Sequence, residues 1–584
     1  MRVVLVDETS SRRPARNETT FALNSWDDNG SDQRSLPRLV EHHGDELQEA
    51  IVTWLQGLKQ VLFSAVSREL PDVDPCYSEM HPIFEGNYAT TPEHYLLAQL
   101  IAFCREAERL NVTAIHYLGV NPDVKSCLAE WCANRNLTFH SASRLQFRLQ
   151  PLRTLASRWR RIFSLWRSTG SQPSTPWIQQ GKVTRLFVDY LVNDPIRTYW
   201  AGLERISALM SESTLFIHQF TPHHAIPTLA RAREHISVLQ SQGVTPARVL
   251  LDDWIGRHDL SRVRTNVRAF RNIGHLARRI DPPSVVYMAG LRPLTLYSRQ
   301  WRAGWRNGAA VDTATKIVAF ENIMATTPNL KQAVFLLENQ IWEKALLHAT
   351  TTFRCESIGV PHTVVRPRDL RYLLLTQDSL HQECHVPTKI ATGGAATQMV
   401  LESRISQMGL VPTEAPRYQS LRRASKNMPR VPSSVLITGD YITKHSKFLL
   451  ETALPVLSEF NIDVIFKPHP ADSGSHLLAE QSGIRITHES LHQVLPSISF
   501  LIVGSLTAAS AEAVHLGIPV ITVVDPRFFN LSPLLRLPFA RFARDKHELT
   551  SHIQYLLSTD TSEQFEMYTI DESLSRWRSL LSVE

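Results

Sequence analysis

Phe466-Lys467-Pro468-His469-Pro470, read with Val503-Gly504-Ser505-Leu506-Thr507 and Glu512-Ala513 downstream, decides how this chain is interpreted. Ile462–Phe466 and Phe500–Val503 are short runs with the pattern of buried strands. An imidazole or hydroxyl cluster stands where each run stops. In an open parallel sheet, ligands bind outside the carboxyl ends of the strands. Two prolines fix the backbone on either side of His469 and so aim its ring. A helix from about Ala508 would direct free N–H groups and its positive dipole end at an anion. Ser505 and Thr507 can cap that helix and donate to phosphate. Lys467, His469, Pro470, Ser505 and Thr507 therefore describe a phosphate site without a Gly-rich loop. Gly439, at the end of the Val435–Thr438 run, joins the same edge. Glu512, about one turn into the helix, is placed for ribose hydroxyls.

A second candidate lies upstream in Phe335-Leu-Leu-Glu338-Asn-Gln340-Ile-Trp342-Glu343. Glu338 closes an apolar strand and so reaches a sheet's carboxyl edge. It is the first candidate for a general base, with Glu343 next. Asp252-Asp253 follow another apolar run, Val249–Leu251. Asp252 and Asp253 would reach that strand's carboxyl end, Asp253 as a further candidate base. Asp72-Val-Asp74 is formally a metal-binding DxD pattern, but prolines at 71 and 75 mark it as surface loop. No metal or cofactor is expected, and no P-loop, zinc pattern or catalytic triad occurs.

The 584 residues exceed one ordinary domain. With 43% hydrophobic and 20% charged residues the balance is globular. Six cysteines without CxxC spacing read as reduced core thiols of a cytosolic chain. No apolar run is long enough to span a bilayer. The opening MRVVLVDETSS reads as a first strand rather than a secretory segment. A net charge of +6 is mild for this length, and no nucleic-acid-binding signature accompanies it. The excess is local: Arg144, Arg148, Arg153, Arg158, Arg160, Arg161 and Arg167 occur with no acid among them. With Trp159, Phe163 and Trp166 they form a basic amphipathic pattern suited to an anionic membrane surface, or else a solvated face.

Strand and helix patterns alternate along the chain, which specifies α/β architecture with parallel sheets. Residues 1–167 read as an N-terminal α/β extension ending in the basic segment, and 168–182 as a linker. Residues 183–385 read as one Rossmann-like domain, with strand patterns at Leu215–Gln219, Val249–Leu251, Val285–Met288, Val334–Leu337 and Thr363–Val365. Residues 386–545, from Lys389-Ile-Ala-Thr-Gly-Gly394 onward, read as a second, and 546–584 as a helical tail.

Lys467-Pro-His469-Pro470 followed by Ser505-x-Thr507, Glu512-Ala and Gly517-Ile-Pro519 resembles the C-terminal half of GT-B glycosyltransferases. The likeness is greatest to the bacterial sialyltransferase, Kdo-transferase and capsule-polymerase group. Glu338-Asn-Gln340-x-Trp342-Glu343, His362, Glu414-Ala-Pro-Arg417-Tyr418 and Asp571-Glu-Ser-Leu574-Ser-Arg576-Trp577 are similar to a family of bacterial lipopolysaccharide O-antigen biosynthesis proteins. The resemblance covers roughly residues 183–584. It implies two Rossmann-like domains facing across a cleft, a CMP-linked Kdo or nonulosonic acid donor, and a lipid-linked glycan acceptor, with His362 and Asp252 on the acceptor side. UDP-sugars stay open. A cytoplasmic enzyme, peripheral on the inner membrane, is the implied location. Sialyltransferases of this type carry a second acid and a glycine where Asn339 and Gln340 stand here. Transfer of a polyol phosphate from CDP-glycerol and a non-catalytic assembly scaffold are the alternatives.

Overall fold

The computed structural model describes residues 2–7, 19–28, 33–141, 181–192, 199–200, 202–203, 206, 213–223, 225–241, 247–282, 288–375, 386–403, 405, 409–421, 434–470, 472, 474–559 and 564–582. The Arg144–Arg167 segment, residues 168–180 of the linker and most of Val285–Met288 lie outside them. No helix among the described residues is long and apolar enough to cross a membrane.

Three parallel sheets are built on one plan. The first comprises β1 (Arg2–Val6), β2 (Thr19–Ala22), β3 (Gln33–Ser35), β4 (Ala114–Leu118) and β5 (Thr138–Ser141). The second comprises β6 (Arg185–Tyr190), β7 (Thr214–Gln219), β8 (Ala247–Leu250), β9 (Gln332–Leu336), β10 (Glu356–Val360), β11 (Lys389–Ala391) and β12 (Gly409–Val411). The third comprises β13 (Ser434–Thr438), β14 (Asp463–Lys467), β15 (Arg485–Ile486), β16 (Phe500–Gly504), β17 (Val520–Val523) and β18 (Arg541–Ala543).

Their orders are β3-β2-β1-β4-β5, β12-β11-β10-β9-β6-β7-β8 and β15-β14-β13-β16-β17-β18. Each sheet starts in its middle, runs outward one way, then returns to the other side of its first strand. That reversal is the doubly wound Rossmann order, and it opens a crevice between the first and fourth strands. The central strands are mostly apolar, as in Val435-Leu-Ile and Phe500–Val503, because helices cover both faces.

Four expectations need correction. Lys389–Ala391 does not open the third sheet: Ile358 pairs with Lys389 and Gly359 with Ile390, so β11 and β12 extend the second. A three-residue strand carries no local signal of which sheet it joins. Thr363–Val365 is irregular, and the strand there is Glu356–Val360. The tail is divided: Lys546–Ser558 packs beside β18, whereas Ser575–Leu581 returns to the second domain. Lastly, Cys76 is disulfide-bonded, and only Cys104, Cys127, Cys132 and Cys355 are free among the described residues.

The N-terminal unit is not an appendage. Its buried residues, such as Trp54, Leu58 and Phe84, share one hydrophobic core with Tyr297, Trp301 and Leu346 of the second domain. It also touches the third: Trp26 Nε1 donates to the Val524 carbonyl at 2.9 Å, and Tyr95 Oη to the Pro526 carbonyl at 2.9 Å. The second and third sheets face each other across a cleft in a GT-B-like arrangement, and the first domain spans both.

Candidate functional site

The cleft holds about 650 Å³, within the range of small-ligand sites. Its two walls are the strand ends at the two switch points. Glu338 follows β9, and Tyr190 ends β6, the strand beside it. Gly439 and Asp440 follow β13, and Thr507 follows β16, again its neighbour. Lys467, His469 and Pro470 extend the second wall from β14, and Glu512 from the Ala509–His515 helix. His362, Glu338, Gly439, Lys467, His469, Pro470, Thr507 and Glu512 all line this cleft.

Four candidates do not. Glu343 is 1% exposed, and both its oxygens accept from the Glu338 N–H, at 2.9 and 3.0 Å. It braces the turn and does not face the cleft. Asp252 and Asp253 occupy a 3-10 turn after β8, an edge strand far from the switch point, and Asp253 is paired with Arg233 at 2.7 Å. Ser505 is buried and outside the lining. Thr507, one residue before the N-cap Ala508, accepts from the Ala509 N–H through its Oγ1 at 3.2 Å. The helix that follows has only seven residues, so its dipole contributes less than a full-length helix would. Asp74 caps a 3-10 turn through the Cys76 N–H at 2.9 Å and lies outside the cleft lining, as a loop residue would.

The Glu338–Lys344 motif now has a residue-by-residue account. Asn339 takes φ of 57°, a left-handed turn that Asn tolerates. Its Nδ2 donates to the Phe84 and Glu85 carbonyls of the first domain at 3.0 and 3.1 Å. Gln340 Nε2 donates to Glu338 Oε2 at 2.8 Å. Trp342 Nε1 donates to Tyr190 Oη at 2.7 Å. Lys344 donates to the Glu79 and Phe84 carbonyls at 3.1 and 3.3 Å. The motif therefore aims one carboxylate into the cleft and bolts the strand end to the first domain.

Glu414 and the C-terminal motif meet in the same way. The Glu414 carboxylate accepts from the Arg576 and Trp577 N–H groups at 3.1 and 3.2 Å, and Trp577 Nε1 donates to the Glu414 carbonyl at 2.8 Å. This clasp holds the following Arg417 and Tyr418 at the cleft.

The electrostatics divide the walls by role. Glu338 Oε1 accepts from Arg371 Nη1 at 2.8 Å and lies 3.7 Å from His362 Nδ1. Burial raises the Glu338 pKa, but His362 when protonated, and Arg371 at every pH, outweigh it and hold the carboxyl below its usual range. Burial takes His362 down to about 4; Glu338 opposes this, and Arg417, Arg371 and Arg366 add to it. His362 is a neutral imidazole beside a carboxylate. On the opposite wall, burial lowers His469, with Asp440 opposing, and Lys467 Nζ donates to the Glu489 carbonyl at 2.5 Å. Burial raises Glu512 to about 7 against Arg417 and Lys467.

Sequence reasoning missed Arg366, Arg371, Tyr190, Tyr199, Asp440 and Tyr441, and the Asn87, Ala89 and Thr90 loop of the first domain, all of which line the cleft. The run Arg366-Pro-Arg368-Asp369-Leu-Arg371 was a usable signal. The first-domain loop offered none, because only packing brings it there.

No family model and no curated protein matches the chain. Among solved structures it is similar to the glycosyltransferase SnogD from Streptomyces nogalater, at 12% identity over 68% of this chain and 99% of that one, with a TM-score of 0.38. UDP-GlcNAc 2-epimerase from Neisseria meningitidis, solved bound to UDP-GlcNAc, is 8% identical over 68% of this chain and 100% of that one, with a TM-score of 0.38. MurG from Acinetobacter baumannii is 9% identical over 68% and 99%, with a TM-score of 0.36.

Proposed function

We propose that the cleft transfers a sugar from a nucleotide-sugar donor to an acceptor hydroxyl. The observation carrying this reading is the pairing of the walls. One presents a neutral imidazole against a carboxylate, His362 and Glu338. The other presents Lys467, His469 and Thr507 at strand ends, with Glu512 beside them.

The donor's phosphate is held by His469, Lys467 and Thr507, and its ribose hydroxyls by Glu512. The acceptor hydroxyl attacks the anomeric carbon from the opposite wall. His362 takes the hydroxyl proton, and Glu338 orients the ring and stabilises the imidazolium. This shifts the base from Glu338, whose two oxygens are already held by Arg371 and Gln340. The bond from anomeric carbon to phosphate oxygen breaks, and Lys467, His469 and Thr507 stabilise the departing phosphate where charge develops. A CMP-linked keto-sugar acid is the proposed donor and a lipid-linked surface glycan the proposed acceptor.

A thermal-shift screen with CMP, CDP, UDP and GDP tests the reading. Stabilisation by CMP above the others supports it. Stabilisation by UDP alone replaces the donor. If no nucleotide stabilises the protein, the glycosyl-transfer reading falls.

A further inference from the structure

Arg366 is 8% exposed, and it borders both the cleft and a small recess shared with Asn87, Tyr441 and Leu506. These residues come from all three domains. A guanidinium has five N–H donors and stays charged. Among the described residues Arg366 makes one hydrogen bond, from Nη2 to the Leu506 carbonyl at 2.6 Å. Its Nε is buried and has no partner.

Its neighbours in sequence are treated differently. Arg368 is paired with Glu41 and Asp45, each at 3.0 Å. Arg371 is paired with Asp369 at 2.7 Å and with Glu338 at 2.8 Å. Among the described residues Arg366 makes no ion pair: Asp369, whose carboxyl it helps to hold low, feels its charge but is bonded to Arg371. Buried charges are ordinarily paired, since an unpaired one forfeits its hydration without compensation. Leu506 stands directly before Thr507, so a residue of the second domain's loop reaches across to the turn of the third domain that carries the phosphate-side hydroxyl.

We propose that Arg366 is an oxyanion subsite completed by substrate, binding an anionic group of the donor where the three domains meet. This rests on the reading of the cleft as a nucleotide-sugar site. Two sources offer the same pair of anionic acceptor oxygens, the nucleotide phosphate and a carboxylate on the sugar, and a guanidinium fork suits both.

The test compares wild type, Arg366→Gln and Arg366→Lys by calorimetry with inorganic phosphate, CMP and a CMP-linked sugar acid. If the phosphate is bound, Arg366→Gln weakens phosphate and CMP at least about tenfold, and Arg366→Lys recovers part of the loss. If the carboxylate is bound, CMP affinity is unchanged, while the CMP-linked acid falls to the affinity of CMP alone. All three probes binding Arg366→Gln within twofold of wild type overturns the subsite, even if the variant melts earlier. Should Arg366→Gln not fold, Arg366→Lys carries the comparison, because it holds the charge without the planar fork. Equal affinities for it overturn the proposal. If wild type binds no nucleotide yet binds phosphate through Arg366, the glycosyl-transfer reading fails and the subsite stands. If wild type binds neither phosphate nor nucleotide, both fall.

Discussion

Arg371 Nη1 donates to Glu338 Oε1 at 2.8 Å, and the same guanidinium is held from its other side by Asp369 at 2.7 Å. Glu338 is thereby fixed as an anion facing His362, and the imidazole is the group free to change protonation. A carboxylate held this way orients and stabilises more readily than it accepts a proton.

His362→Ala is expected to lower turnover by about 10²-fold or more while nucleotide affinity stays unchanged. Glu338→Gln removes the charge that raises the His362 pKa, so the acid limb of kcat/KM should move to lower pH. Steady-state rates from about pH 3 to 8, on either side of the His362 pKa, check both. Near-normal turnover of His362→Ala returns the base role to Glu338.

The free enzyme holds His362 at about 4, partly through Arg417, Arg371 and Arg366. A bound donor anion offsets those cations and raises the imidazole pKa. The acid limb of kcat, which reports the complex, should therefore lie at higher pH than that of kcat/KM, which reports free enzyme. Coincident limbs would mean that the donor anion sits away from the arginines.

Thr507→Ala and His469→Ala are expected to weaken nucleotide binding, because both residues line the cleft. Ser505→Ala should not, since its side chain is outside it. Calorimetry with the nucleotide that stabilises wild type separates them. Equal losses for Ser505→Ala and Thr507→Ala would show that the turn, and not the Thr507 hydroxyl, sets affinity.

Glu512 has its pKa raised to about 7 from 4.5. Between those pH values the folded state binds a proton that the unfolded state has released. Stability therefore falls as pH rises through this window. Glu512→Gln should remove that slope and melt higher than wild type at pH 8, with little difference at pH 4.5. Parallel melting curves across the range would show that Glu512 titrates as it does in the unfolded chain.

Glu414→Ala removes the buried acceptor of two backbone N–H groups and should destabilise the protein by about 1–3 kcal/mol. Urea unfolding reads the loss. Cleft affinity should fall as well, because Arg417 and Tyr418 depend on the same clasp.

What the sequence determined on its own was local. Apolar runs ending at Lys467, Gly504 and Glu338 marked strand ends, since a buried strand needs only a short stretch of chain to declare itself. The rule that ligands gather at such ends then placed His469, Thr507, Glu512 and Glu338 in one cleft. What the tertiary structure decided was long-range. Whether Ser505 or Thr507 faces the cleft depends on the path of one turn. That His362, and not Glu343, faces the Glu338 carboxylate depends on the pairing of β9 with β10. The roles of Arg366, Arg371 and the Asn87–Thr90 loop arise from packing between residues far apart in the chain. No periodicity records that kind of contact, because hydrogen bonds and ion pairs across domains leave each local pattern unchanged.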